Sequence, residues 1–168
     1  MHRRHGDRTV IARGLTLGMV LACAASPTRE RVAPSAEFPQ LERQVARLVN
    51  EHRVTRRLAR LTFDTGLATI ARAHSGDMAA RRVPLGHDRF EERAELVGRD
   101  LPFLRIAENV ALNDYAVDRT VAVALRGWLR SPHHLENIEG SYNLTGVGIV
   151  RAKDGTFYYT QLFVARRQ

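Results

Sequence analysis

One carboxylate stands in an unusual place in this sequence. From Arg105 to Leu112 the residues alternate as they do in a strand, which sets Ile106, Glu108, Val110 and Leu112 on one face and Ala107, Asn109 and Ala111 on the other. Glu108 therefore shares a face with three large apolar side chains. A buried carboxylate left unpaired costs several kcal/mol, so Glu108 needs a cation, a hydrogen-bond donor or a wet cavity. His87 follows Gly86, a position that suits a loop histidine bonded to its neighbours as well as a ligand. His134 falls at the third position of a turn opened by Ser131-Pro132, since Ser caps a helix and Pro fits its first residue. Its backbone then lies near the positive helix end, and neighbouring His133 faces solvent. Ser131 lies three residues before His134, but as a cap its hydroxyl is expected to bond backbone donors, so no Ser-His-Asp nucleophile is legible.

The other polar candidates read as structural. His52 and His74 lie on apolar helix faces and are expected to be satisfied core residues. Asn50, Arg53 and Asn137 should bond backbone and fix loops, and Trp128 belongs to a core stripe. Arg72, Arg81, Arg82 and Arg93 read as solvated surface, because no aromatic residues interleave with them as single-strand nucleic-acid binding requires.

Periodicity supplies the elements that must position these groups. Leu41, Val45, Leu48, Val49 and His52 form one stripe of an amphipathic helix. A second helix follows Asp64 as N-cap, with Leu67, Ile70, Ala71, His74 and Met78 on one face. A third runs from about Ala116 to Arg130 through Val117, Val121, Ala124, Leu125 and Trp128. Thr145 to Ala152 and Thr156 to Ala165 flank the turn Lys153-Asp154-Gly155 and read as a hairpin. Its second strand is apolar on both faces, with Phe157, Tyr159 and Phe163 on one and Tyr158, Leu162 and Val164 on the other. A sheet covered on both sides explains that. Three helices and about three strands arranged this way predict an α+β fold, a three-layer α-β-α sandwich around a small, mainly antiparallel sheet.

With 168 residues, 44% of them hydrophobic and 26% charged, the chain has room for one folded domain and is too apolar to stay disordered. The formal charge is +8, but Lys153 is the only lysine among 26 basic residues, which marks an arginine bias rather than a nucleic-acid surface. Arg3, Arg4, Arg8 and Arg13 precede an apolar run from Gly14 to Ala25, the pattern of an export signal over residues 1–22. At about 12 residues the run is shorter than the roughly 17 to 25 of a membrane-spanning helix. Cys23, the only cysteine, follows Val20-Leu21-Ala22 as in a bacterial lipobox, where the cysteine is lipidated; the alternative is a cleaved secretory signal that discards it. In either case the folded part carries no cysteine and can form no internal disulfide. Residues 23–37, with Pro27 and Pro34, read as a tether, and residues 38–168 as the domain.

A series of segments resembles the signatures of one family. They are Leu48-Val49-Asn50-Glu51-His52-Arg53, Leu61-Thr62-Phe63-Asp64, Ala71-Arg72-Ala73-His74 leading to Met78, and Gly86-His87. Ala107-Glu108-Asn109-Val110-Ala111 follows, then Trp128 with Ser131-Pro132-His133-His134-Leu135-Glu136-Asn137-Ile138, and Gly146-Val147-Gly148-Ile149 ending in Tyr159-Thr160-Gln161-Leu162-Phe163. No single piece is specific, but their order is. They resemble the bacterial branch of the CAP superfamily: cysteine-rich secretory proteins, antigen 5 and pathogenesis-related 1 proteins, also called SCP domains. The resemblance spans roughly Leu41 to Val164 and implies the same α-β-α sandwich.

It also implies that His87, Glu108 and His134 line one cavity, where the family presents two histidines and one or two acidic residues. The second glutamate of the eukaryotic branch, three residues after the tryptophan, is replaced here by Ser131. Two imidazoles and a carboxylate could hold zinc with an open fourth position, or could form a hydrogen-bonded cluster lining the cavity. No two of the three have the short spacing of a zinc helix. Two functions from different classes follow, the first suggested by the resemblance and the second by the residues themselves. One is a noncatalytic extracytoplasmic module that binds a small apolar or lipidic ligand or a cell-envelope component, tethered to the membrane through Cys23. The other is a zinc-assisted hydrolase with Glu108 as base on water held by His87 and His134. Nucleic acid is not an expected partner, since only charge suggests it and export conflicts with it.

Overall fold

A computed structural model describes residues 37–167. The expected export signal, Cys23 and all of the tether but its last residue lie outside that range. Helix α1 (Glu37–Thr55) turns the first apolar stripe inward, burying Leu41, Val45 and Val49. It starts at Glu37, inside the segment read as tether. The two-residue strand β1 (Thr62–Phe63) leads into α2 (Thr65–Ala79), whose cap is the expected one: Asp64 Oδ1 accepts the Leu67 N–H at 2.9 Å. Helix α3 (Phe90–Asp100) comes next, then the long strand β2 (Phe103–Asn113) and helix α4 (Val117–Arg130). Ser131-Pro132 ends α4 and begins α5 (Pro132–Glu139). Strands β3 (Leu144–Arg151) and β4 (Phe157–Arg166) close the chain as a hairpin.

The sheet runs β1-β3-β4-β2, antiparallel except where β1 pairs parallel to β3. Helices α1, α4 and α5 cover one face, over a core of Val147, Ile149, Phe157, Tyr159 and Phe163. Helices α2 and α3 cover the other, over Leu162, Val164 and Ile106. The two-sided burial read from β4 is the consequence of this three-layer α-β-α sandwich. Five helices and four strands are present among the described residues, against three and about three expected. The additions are short or weakly patterned: β1, α5, which the Ser-Pro turn foreshadowed, and α3.

Two details fix how closely the layers pack. Gly146 and Gly148 on β3 face the backbone of α2, and a Cβ at either would overlap Leu67–Ala68 or Ala71–Arg72. At the edge of β3 past the end of β1, the Ile149 N–H donates to Glu42 Oε1 at 3.1 Å, so an α1 side chain serves where β1 has stopped. Glu42, 1% exposed, also accepts from Arg72 Nε at 2.8 Å and Nη2 at 2.6 Å. This hydrogen-bonded pair raises the Arg72 pKa, against the lowering effect of burial. Arg72 is thus bridged to the core rather than free on the surface.

Candidate functional site

Strand β2 is an edge strand, and its Glu108 points to the α2–α3 side with Val110 and Ile106. Glu108 is 5% exposed, so the cost anticipated from the alternation is real and must be met. The cation that meets it is Arg93, from the first turn of α3. Arg93 Nε donates to Oε2 and Nη2 to Oε1, both at 2.7 Å, the two-pronged geometry in which a guanidinium matches a carboxylate. Its Nη1 donates to the Asp88 carbonyl at 2.6 Å. Arg93 is itself only 6% exposed, which corrects its reading as solvated surface. A signal for it was present in the sequence: Phe90, Arg93, Val97 and Leu101 follow helical spacing, so the arginine interrupts an apolar stripe.

His87 completes the carboxylate's shell. A carboxylate only accepts, so His87 Nδ1–H donates to Glu108 Oε1 at 2.9 Å while the ring stays half in solvent. The loop that carries it is held by His74, whose Nε2–H donates to the Gly86 carbonyl at 2.9 Å. His74 is 3% exposed, a satisfied core histidine as expected, and its Nε2 lies 4.0 Å from Glu108 Oε1.

His134 approaches the same edge from the opposite layer. Asn109, on the α5 side of β2, donates from Nδ2 to the His134 carbonyl at 3.1 Å. Asn137 Nδ2 donates to Asn109 Oδ1 at 2.9 Å and to the Glu108 carbonyl at 3.2 Å. Trp128 Nε1 does the same for Val110 at 2.9 Å, so α4 and α5 side chains occupy the outward carbonyls of the strand. His134 is half-buried, and its pKa is lowered first by burial, then by the imidazoles of His87 and His133. Ser131 has the backbone of an N-cap, but its hydroxyl makes no capping bond, contrary to expectation. His133 is exposed.

The donor set does not suit zinc. Both oxygens of Glu108 are taken by a resident cation, and no group of three or more His, Cys, Asp or Glu side chains among the described residues is placed to hold a metal ion. A cleft of about 260 Å³ lies beside the pair, between α2 and α3; His74 and Arg93 line it, and His87, Glu108 and His134 do not.

The remaining polar expectations can be placed. Asn50 exchanges two bonds with the Leu61 backbone, at 2.9 and 2.7 Å. Arg53 reaches the carbonyls of Ala59, Ile138 and Gly140 at 2.7 to 2.9 Å. His52 is half-buried and bonded to Glu139 at 2.9 Å. Asn50 ties α1 to the segment before β1, His52 ties it to the last residue of α5, and Arg53 reaches both.

A family model described as the cysteine-rich secretory protein family, CAP, matches residues 46–163. The chain belongs to this family. Among proteins similar to this CAP chain is an uncharacterized membrane protein of Bacillus subtilis, YlbC, 34% identical over an alignment of 134 residues that covers 74% of this chain and 34% of that one. An extracellular protein from Bacillus anthracis containing an SCP domain is similar in structure, with a TM-score of 0.62 and 28% identity over 76% of this chain and 41% of that one. A cysteine-rich secretory protein from Staphylococcus aureus also reaches a TM-score of 0.62, at 21% identity over 78% of this chain and 40% of that one, and shows the fold alone. This CAP chain spans about a third of the length of YlbC and about two fifths of these two structures.

Proposed function

We propose that the chain is an exported, noncatalytic CAP module that binds a small apolar or lipidic ligand, or a cell-envelope component, at the edge formed by His87, Glu108, Ser131 and His134. One observation carries this reading over hydrolysis. The carboxylate that would serve as base is held at both oxygens by Arg93, whose guanidinium already takes the hydrogen bonds a water would need. A base needs a lone pair aimed at its water. The same occupancy takes up the oxygens that a zinc ion held by His87 and His134 would need as its third ligand.

Export is supported by the arginine-rich amino terminus and by the extracellular and membrane proteins the chain resembles. No helix among the described residues is long and apolar enough to cross a membrane, and we place membrane attachment at a lipid on Cys23.

Calorimetric titration of the protein with zinc at neutral pH tests the choice. No saturable binding is expected. Stoichiometric zinc that disappears in both His87→Ala and His134→Ala would overturn the noncatalytic reading. Mass spectrometry of what copurifies from native envelopes identifies the occupant.

A further inference from the structure

The arginine bias is spread along the sequence, but the fold distributes its exposed charge unevenly. At one end of the sheet β4 finishes, β2 begins and α1 runs into β1. There Phe103 pairs with Arg166, Arg105 with Ala165, and the Asn143 N–H donates to the Val164 carbonyl at 3.1 Å. Exposed at this end are Arg56, Arg57 and Arg60 from the loop after α1, Arg105 from β2, and Arg166 and Arg167 from the end of β4. The carboxylates around them are fewer and mostly engaged. Glu139 is bonded to Arg56 at 3.0 Å and to His52, Asp64 caps α2, and Asp100 has Arg99 beside it, which leaves Glu136 on the last turn of α5. At the opposite end charges cancel in place: Arg81 lies 3.7 Å from Asp154, Arg82 donates to Asp77 at 2.7 Å, and Asp88, Asp114 and Asp118 are exposed among the other cations.

Beneath the basic end lies a cation that no carboxylate meets among the described residues. Arg53 is 2% exposed, yet its guanidinium is held by carbonyls: Ala59 at Nε, Ile138 and Gly140 at Nη1, and Tyr142 at Nη2, the last at a loose 3.5 Å. Burial lowers its pKa, and the charge of Glu139 acts against that without touching it. Arg53 and its partners Ala59, Gly140 and Tyr142 line a groove of about 330 Å³, together with Leu58 and Ala165. Arg105 lies beside the groove, its guanidinium 5.4 Å from the centre of the Tyr142 ring.

Apolar side chains stand out among these cations. Leu104, next to Arg105, is 64% exposed, and Val54, on the last turn of α1, is 46% exposed. Cations with apolar side chains between them suit a membrane surface, where phosphates meet the charges and the apolar groups reach the acyl boundary. Phe63, Phe103 and Tyr142 are buried or half-buried at this end, so they offer no platform on which nucleic-acid bases could stack.

We propose that this end of the sheet docks on an anionic phospholipid surface, with a headgroup phosphate at the groove above Arg53 and with Leu104 and Val54 against the lipid. Helix α1, 19 residues and about 28 Å long, separates this end from Glu37. Residues 24–36 can extend to at most about 45 Å, so an anchor at Cys23 lets the far end lie on the same bilayer. Charge attraction is screened within about 8 Å at physiological salt, and the contact therefore orients an anchored chain without replacing the anchor. This surface is separate from the His87 edge, and the two readings stand or fall independently.

Two arginines give a matched test. Arg57 ends α1 at φ 59°, with the Leu58 N–H on the Arg53 carbonyl at 2.9 Å and its own N–H on the Val54 carbonyl at 3.0 Å, a position where glycine is the least strained residue. Arg81 follows α2 in the same left-handed conformation, φ 57°, at the opposite end of the sheet. The chain from residue 24 onward keeps the whole folded body and lacks both the export signal and Cys23. It is sedimented at low salt with vesicles of phosphatidylcholine, alone or mixed equally with phosphatidylglycerol. Binding to the mixed vesicles and not to the neutral ones is expected. Arg57→Gly should weaken it about five-fold without lowering the melting temperature, while Arg81→Gly leaves it unchanged. Leu104→Ser, which alters no charge, should weaken it as well. Equal binding to neutral vesicles, equal losses in the two glycine variants, or displacement by duplex DNA at matched phosphate would overturn the lipid assignment. Zinc binding at the His87 edge is the separate result that bears on the noncatalytic reading.

Discussion

Arg93 and Glu108 bury one charge of each sign in direct contact, and removing one half differs from removing both. Arg93→Ala leaves a carboxylate buried without its cation and should cost about 3 to 5 kcal/mol in urea unfolding. Replacing both, Arg93→Leu with Glu108→Leu, should cost far less, because a buried ion pair and a packed apolar pair are close in net stability. Equal, additive losses in the single and double variants would contradict the pairing. Arg93→Lys should not rescue, since an ammonium cannot span both oxygens as the guanidinium does.

His134 makes a pH prediction whose sign follows from its environment. Burial first, and then His87 and His133, lower its pKa in the folded protein below the ordinary value of about 6.5. The neutral ring is the one the fold favours. Its contribution to stability is full above the unfolded value and is lost as pH falls through the folded one. Unfolding measured from about pH 7 down to pH 5 should therefore show a loss that His134→Gln reduces. NMR titration should find the His134 pKa raised in His87→Ala, and a His134 ring titrating at or above the ordinary value in the unsubstituted protein would contradict the geometry.

Among the elements, the contact of β3 with α2 is the tightest tolerance. Gly148→Ala puts a methyl group into the α2 backbone, and because both partners are main chain neither can step aside; about 1 to 3 kcal/mol or more should be lost. Gly127→Ala, on the exposed face of α4 with nothing within 4 Å of the new carbon, should gain about 0.5 to 1 kcal/mol. Thermal melts of the two variants moving in the same direction would refute this layer packing. The elements with long, regular stripes were legible: α1, α2, α4 and the three longer strands fall within a few residues of their predicted ranges. Helix α3 was not, because its stripe contains Arg93 and its charged residues read as surface. Strand β1 is two residues long, too short for any period, and exists because the Leu144–Thr145 segment of β3 offers it a parallel edge.

For the whole molecule, the proposed attachment to the envelope is most open to a direct check. Cys23→Ser should move the protein from the membrane fraction to the soluble fraction of cells that express it, and unchanged fractionation would reject lipidation at that residue. The sequence by itself determined the family, the α-β-α layering and the fact that Glu108 needed a partner, because periodicity and ordered motifs are properties of neighbours along the chain. It also fixed Asp64 as the cap of α2, a contact spanning three residues. Only the tertiary structure decided that the partner is Arg93, that His87 and His134 reach one strand edge from opposite layers, and that the cleft opens beside the ion pair rather than around it. Those outcomes depend on which helix face lies against which strand. That choice is made by the packing of the three layers together, and no local spacing encodes it.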